Sequence, residues 1–203
     1  MGKVIGKAYV AMWRLLGWKI QKAPEGHDPN GIYIVPTHTS LLDGPLGLAY
    51  VAVNSLDPLL FLVEKWYDKS PKLSKAVGFF RTPDMDYTAA SGYVSFFKSL
   101  KKEVKRRKET GQGIVIGICP EGRLAKGDGW KGSFLYLARL LKQNIYVVRV
   151  DYNEKYAGVV NPLNPVMVGK RSDKEIMDEI RSLCDANWAK YPENVSPMIL
   201  ESE

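Results

Sequence analysis

The sequence predicts an α/β fold: a single layered domain with a mostly parallel central sheet flanked by helices, preceded by an N-terminal amphipathic helix. Two observations carry this. Short apolar runs of strand length alternate with longer segments of helical spacing, the pattern of strand–helix–strand units. The 203 residues, 45% of them hydrophobic, also suffice for one sizeable core.

Taken in order, residues 3–20 mix Val4, Ile5, Tyr9, Val10, Met12, Trp13, Leu15, Leu16 and Trp18 with Lys3, Lys7, Arg14 and Lys19. The basic residues at 3, 7 and 14 fall near one helical face, and Ile5, Tyr9, Met12, Trp13 and Leu16 near the other. Basic flanks with tryptophans suit a helix lying in a lipid headgroup layer. A terminal helix packed on the core has the same pattern. Residues 17–20 read as the helix end and a short strand. Residues 1–20 therefore form an N-terminal segment, and 21–203 the domain proper.

Within that domain, 31–35 is an apolar strand closed by Pro36, and 59–63 a short buried strand. Residues 72–77 form a short helix leading to Gly78-Phe79-Phe80-Arg81. A long helix spans 87–108 and ends at Gly111 and Gly113. The strand 114–118 runs into Cys119-Pro120-Glu121-Gly122-Arg123, a helix covers 130–143, a strand 145–150, and a final helix 173–190. Ligands of parallel sheets bind at the carboxyl ends of strands, so His38, Arg81 and Glu121 are expected on one edge. Residues 122–132 are Gly-rich enough for a mobile loop.

Composition excludes several classes. Two cysteines, Cys119 and Cys184, give neither a disulfide framework nor paired metal-ligand spacing, which suits a reducing compartment. Two histidines make a His-based metal cluster improbable, and no metal or cofactor is expected. The net charge of +7 points to anionic partners. No apolar run reaches the roughly 18 residues of a bilayer span, and no cleavable leader is expected. The basic helix over 98–108 reads as a solvated face with Phe96, Phe97, Leu100 and Val104 on its apolar side.

The segment Thr37-His38-Thr39-Ser40-Leu41-Leu42-Asp43 is the most informative for chemistry. His38 sits where a strand ends and Asp43 where a helix starts. On one continuous helix their side chains would point about 140° apart, whereas a bend between them lets the two meet. A carboxylate on one imidazole nitrogen fixes the tautomer and frees the other nitrogen to take a proton from a hydroxyl. An ordinary turn histidine followed by a helix-start aspartate fits the same residues. Cys119 reads as a strand-end core cysteine, and Cys184 as core. The aromatics Trp66, Tyr67, Phe79, Phe80, Trp130, Phe134 and Tyr136 line an acyl groove or fill the core.

A His-x4-Asp after a strand, an arginine after a Gly-aromatic segment and Pro-Glu-Gly after another strand, in this order, resemble the glycerolipid acyltransferase family of PlsC-like lysophospholipid acyltransferases. The likeness covers roughly residues 16–168. Gly17-Trp18-Lys19-Ile20, Pro36-Thr37-His38-Thr39-Ser40 and Trp130-Lys131 are similar to a short bacterial branch. The resemblance implies transfer of a fatty acyl group from a coenzyme A or acyl carrier protein thioester to a lysophospholipid hydroxyl, typically lysophosphatidic acid, in phospholipid biosynthesis. It implies His38 as general base oriented by Asp43. Arg81 would bind the acceptor phosphate, while Glu121 would anchor the glycerol or order its loop and Gly122 would allow close backbone approach. The expected location is peripheral, on the cytoplasmic face of a membrane.

The chain departs from the family in its third block, usually Glu-Gly-Thr-Arg, which here reads Glu121-Gly122-Arg123-Leu124. The shifted guanidinium leaves Arg123 or Lys131 to supply the charge. Arg149 stands where the family often has proline. Three other readings stay open: a lipid-binding member without turnover or with an unusual acceptor, an anion or nucleic-acid binding module, and a thioesterase-like hydrolase. No nucleic-acid motif is recognisable, and no nucleic acid is expected as partner.

Overall fold

The strands of a sheet buried on both faces read as continuous apolar runs, and period-two alternation sends successive side chains to opposite sides. Gly31-Ile32-Tyr33-Ile34, Val115-Ile116-Gly117-Ile118 and Ile145-Tyr146-Val147-Val148 are runs of this kind. The computed structural model describes residues 3–56, 58–60 and 90–201. Its helices are α1 (Lys3–Leu15), α2 (Asp43–Val53), α3 (Ala90–Glu109), α4 (Ser133–Leu141) and α5 (Asp173–Ser182). Its strands are β1 (Lys19–Ile20), β2 (Gly31–Ile34), β3 (Pro58–Leu60), β4 (Val115–Ile118), β5 (Ile145–Asp151) and β6 (Tyr156–Val159). They form one sheet in the order β1-β6-β5-β2-β4-β3. The β5–β6 pair is antiparallel and every other pair is parallel, so the fold is α/β with a mostly parallel sheet.

Alternation sorts the core into two layers. Ile32, Ile34, Ile116 and Val147 pack with Leu100 and Val104 of α3, Phe134 and Leu137 of α4, and Ile176 and Ile180 of α5. The intervening Tyr33, Val115, Tyr146 and Val148 turn to the other face, with Leu46, Ala49 and Tyr50 of α2 and Trp13 of α1. Trp130 and Phe134 are fully buried, so these two aromatics fill the core. Tyr136 is exposed, edge-on to Phe97. Trp66, Tyr67, Phe79 and Phe80 lie outside the described residues, as do the helix expected at 72–77 and most of the strand expected at 59–63.

The N-terminal segment is built into the domain. Val10, Trp13, Trp18 and Ile20 are buried, and Tyr9 Oη donates a 2.9 Å hydrogen bond to the Pro45 carbonyl of α2. The apolar residues of this segment are thereby split, because Met12, Leu15 and Leu16 stay exposed. Among the described residues, no helix is long and apolar enough to cross a membrane.

Three elements differ from expectation, each for a physical reason. The strand β6 escapes a hydropathy reading because Gly158 interrupts it. A Cβ there would lie 2.6 Å from Gln21 Cβ, so the position needs glycine for close approach of the neighbouring chain. The last helix stops at Ser182 rather than near 190. Asp185 instead caps a 3₁₀ turn at Ala186–Trp188 by accepting the Asn187 N–H at 2.9 Å, local bonding that competes with helix. Finally, the basic face of α3 is not wholly solvated. Arg107 is buried, donating to Glu103 and to the Gly113 carbonyl.

Candidate active site

Three neighbouring strand ends build the site. Ile34 of β2 pairs in register with Ile118 of β4, and one residue on, the Val35 N–H donates to the Ile118 carbonyl at 2.9 Å. The chain leaving β2 toward His38 therefore runs beside the chain leaving β4 toward Cys119 and Glu121. On the other side of β2, β5 ends at Asp151 and delivers Tyr152. Thr37 turns the chain after β2 with φ 62°, a left-handed conformation rarely adopted by a β-branched residue. Such strain is typical of positions where a neighbouring side chain has to be aimed.

His38 and Asp43 meet. Nδ1 of His38 lies 2.9 Å from Oδ2 of Asp43. A carboxylate only accepts, so Nδ1 carries the donated proton, and Nε2 is the nitrogen left for chemistry. Asp43 is itself buried and fully engaged. Its Oδ2 also accepts the Ser40 N–H at 3.1 Å, and its Oδ1 accepts the Tyr152 hydroxyl at 2.6 Å. Burial of Tyr152, reinforced by the Asp43 charge, pushes the phenol pKa up, so it stays a donor.

Cys119 is the second neighbour of the imidazole. The largest influence on His38 is burial, which disfavours its charged form. Cys119 and the Asp43 carboxylate outweigh it and push the pKa up to about 10. The half-buried thiol is thus a partner of the site rather than the core residue its sequence context suggests. Cys184 is also half-buried and fits the core reading, its pKa pushed up to about 12 by burial.

Glu121 is fully buried. Oε2 accepts the Ser196 hydroxyl at 3.1 Å and its N–H at 3.4 Å, while Oε1 has no hydrogen-bond partner among the described residues. Burial raises its pKa, against the lowering effect of Ser196 and of the adjacent His38. Ser196 also accepts the Gly127 N–H at 2.9 Å, and Trp130 pairs with the chain around Leu200. The C-terminal segment thus straps down the glycine-rich loop expected to be mobile. Through Ser196, Glu121 is joined to that loop.

The remaining expected residues divide. Gly122 adopts φ 65°, and a Cβ there would come within 3.4 Å of Lys131 Nζ, so the lysine lies across the glycine. Arg123 is turned elsewhere, 3.4 Å from Glu201 and against Gly127. Arg149 binds Asp151 and Glu154 at 2.6 and 2.7 Å. Arg81 lies outside the described residues. Among the described residues no group of three His, Cys, Asp or Glu side chains is arranged to hold a metal ion.

Comparison of the chain with family models, curated proteins and solved structures gives no match. The functional reading therefore stands on motif and geometry. Sequence reasoning missed Tyr152 and read Cys119 as a core residue. Both follow strands, and the rule that parallel strands present function at their carboxyl ends was the signal available for them. Nothing near Ser196 marks it in the sequence.

Proposed function

We propose that this chain is an acyltransferase that moves a fatty acyl group from a coenzyme A or acyl carrier protein thioester to the hydroxyl of a lysophospholipid, with lysophosphatidic acid the first acceptor to test. The observation that carries the reading is the His38–Asp43 hydrogen bond, with Asp43 buried and its other oxygen taken by Tyr152. A thioester is already activated, so the principal need is a base for the acceptor. Nε2 of His38 takes the hydroxyl proton as the oxygen attacks the thioester carbonyl. The tetrahedral intermediate then collapses, and the departing thiolate recovers the proton from the imidazolium. Base catalysis of this type contributes about 10²–10⁴-fold.

Lys131, lying across Gly122, is the cation best set for the acceptor phosphate among the described residues, since Arg123 is engaged by Glu201. The resemblance adds Arg81 to this role. Leu41 and Leu42 stand exposed between His38 and Asp43 in sequence, an apolar lip suited to acyl chains. Peripheral attachment to the cytoplasmic face of a membrane belongs to the same reading. The altered third block favours one second reading, a family member that binds lipid without turnover.

The test is thioester consumption by wild type and His38→Ala, with and without lysophosphatidic acid, following the lipid product by mass spectrometry. An acceptor-dependent acylated product that disappears in the variant supports the transferase. Thioester loss without an acylated lipid indicates hydrolysis instead. Lysophosphatidate binding with no consumption favours the lipid-binding reading.

A further inference from the structure

We infer that Tyr152 is a positioning residue for the His38–Asp43 pair, and that the N-terminal segment holds it there. The kinetic consequence rests on the acyl-transfer reading, while the geometric one does not. Asp43 has two oxygens and a buried carboxyl group, so its plane is set only if both are engaged. Oδ2 serves His38 and Ser40, and Oδ1 serves Tyr152. Without the phenol, Oδ1 is left in a buried place with one partner fewer. The carboxylate then turns to find another, and the imidazole loses its aim.

Tyr152 is held from two directions. Its backbone sits in a tight turn in which Asp151 Oδ1 accepts the N–H groups of Asn153 and Glu154, each at 2.9 Å. The Tyr152 N–H donates to the Trp188 carbonyl at 3.0 Å. Arg149 locks the turn by binding Asp151 and Glu154, its guanidinium over the rings of Tyr156 and Trp188.

The ring of Tyr152 is held by the N-terminus. Trp18 meets it edge-to-face, with centroids 5.3 Å apart. Trp13 meets Trp18 at 6.0 Å, and Tyr9 meets Trp13 at 6.4 Å, both edge-to-face. Tyr9 then donates to the Pro45 carbonyl, two residues beyond Asp43. The contacts close a circuit from Asp43 through Tyr152, Trp18, Trp13 and Tyr9 back to the first turn of α2. Edge-to-face aromatic pairs have a defined geometry, the edge of one ring set on the face of the other. The circuit therefore fixes the angle of α2, on which Asp43 rides, as well as the phenol that Asp43 meets.

The test is Tyr152→Phe, which keeps the ring on Trp18 and removes only the hydroxyl. The chain has two histidines, so their C–H proton resonances can be followed separately by NMR as pH is varied. His38 is faced by Asp43 on α2 and by Cys119 and Glu121 after β4, and Tyr152 is also faced by Tyr191. Those groups are unchanged in the variant. The His38 midpoint is expected to fall by about one pH unit, because the imidazolium loses a fixed carboxylate partner. His27, bonded to Pro162 and Tyr33, is the control and should not move.

With decanoyl-coenzyme A and lysophosphatidic acid, kcat should fall about tenfold with KM for the thioester within twofold, the pattern of lost transition-state positioning. Both constants are read on the high-pH plateau, because below the midpoint the larger neutral fraction would offset the loss. An unchanged His38 midpoint overturns the inference, as does a shift shared by His27. A shifted midpoint in a protein whose wild type transfers no acyl group leaves Tyr152 as the positioning residue and defeats the transferase reading instead.

Discussion

His38 Nδ1 and Asp43 Oδ2 meet at 2.9 Å across five positions that one continuous helix would turn about 140° apart. The meeting is possible because α2 begins at Asp43 itself, so the carboxylate occupies the first helical turn while His38 stays in the preceding bend. His38→Ala should lower kcat for acyl transfer by about 10²–10⁴-fold, the range of general-base catalysis. Asp43→Asn preserves volume but removes the charge that supports the imidazolium. It also leaves an amide between two donors, His38 and Tyr152, and should cost about 10²-fold or more. Release of free thiol from the thioester measures both, and near-wild-type turnover in either variant would exclude this pair from the chemistry.

The environment of His38 sets a pH dependence. Its folded pKa is raised from 6.5 to about 10 despite burial, through Cys119 and Asp43. The base is the neutral ring, so kcat/KM should climb with pH and reach half its plateau well above 6.5. Cys119→Ala removes one of the two supports, and the rising limb should move to lower pH. Stability runs the other way. A pKa raised in the folded state gives stabilisation that is complete below 6.5 and is lost as pH rises through about 10. Melting temperature should decline across that window more in wild type than in His38→Ala. Superimposable pH–rate curves for wild type and Cys119→Ala would show that the sulfur does not govern the imidazole.

What was legible in the sequence followed from periodicity. The runs at 31–34, 115–118 and 145–150 are apolar on both faces, and this alone indicates a sheet covered on both sides. The His38–Asp43 pair was legible because both residues are local to one bend. The less visible parts of the site are relations between distant segments. Tyr152 reaches Asp43 across 109 positions, and Ser196 reaches Glu121 across 75. A tyrosine after a strand and a serine in a tail carry no local mark of such partners. The β6 strand was hidden because Gly158, which a strand reading penalises, is required by the neighbouring Gln21.

Gly122 offers a test of the loop that is independent of the base. Its φ of 65° lies in the left-handed region, and a methyl group would also press on Lys131. Gly122→Ala should cost about 1–2 kcal/mol for the backbone conformation, which for a chain of this size lowers the melting temperature by about 2–8 °C. Displacing Lys131 should raise KM for a phosphate-bearing acceptor more than KM for the thioester. Calorimetry reads the first effect and steady-state kinetics the second. An equal rise in both KM values would argue that Lys131 has no special part in holding phosphate.

The proposed membrane contact of α1 is better tested on its exposed side chains than by removing the N-terminus. Deletion of residues 1–20 would take away β1 together with Trp13, Trp18 and Ile20, all buried in the core. Any lost binding would then reflect a damaged domain. Met12, Leu15 and Leu16 are 44%, 89% and 55% exposed, so replacing all three by serine leaves the core intact. Fully burying one such side chain in an apolar phase is worth about 1.5–3 kcal/mol. Even partial insertion of three should therefore change the partition coefficient about tenfold or more. Flotation with vesicles containing anionic lipid should fall accordingly, while the melting temperature stays close to wild type. Binding that persists in the triple variant but disappears at high salt would assign attachment to the basic surface alone, with α1 serving only to brace Tyr152.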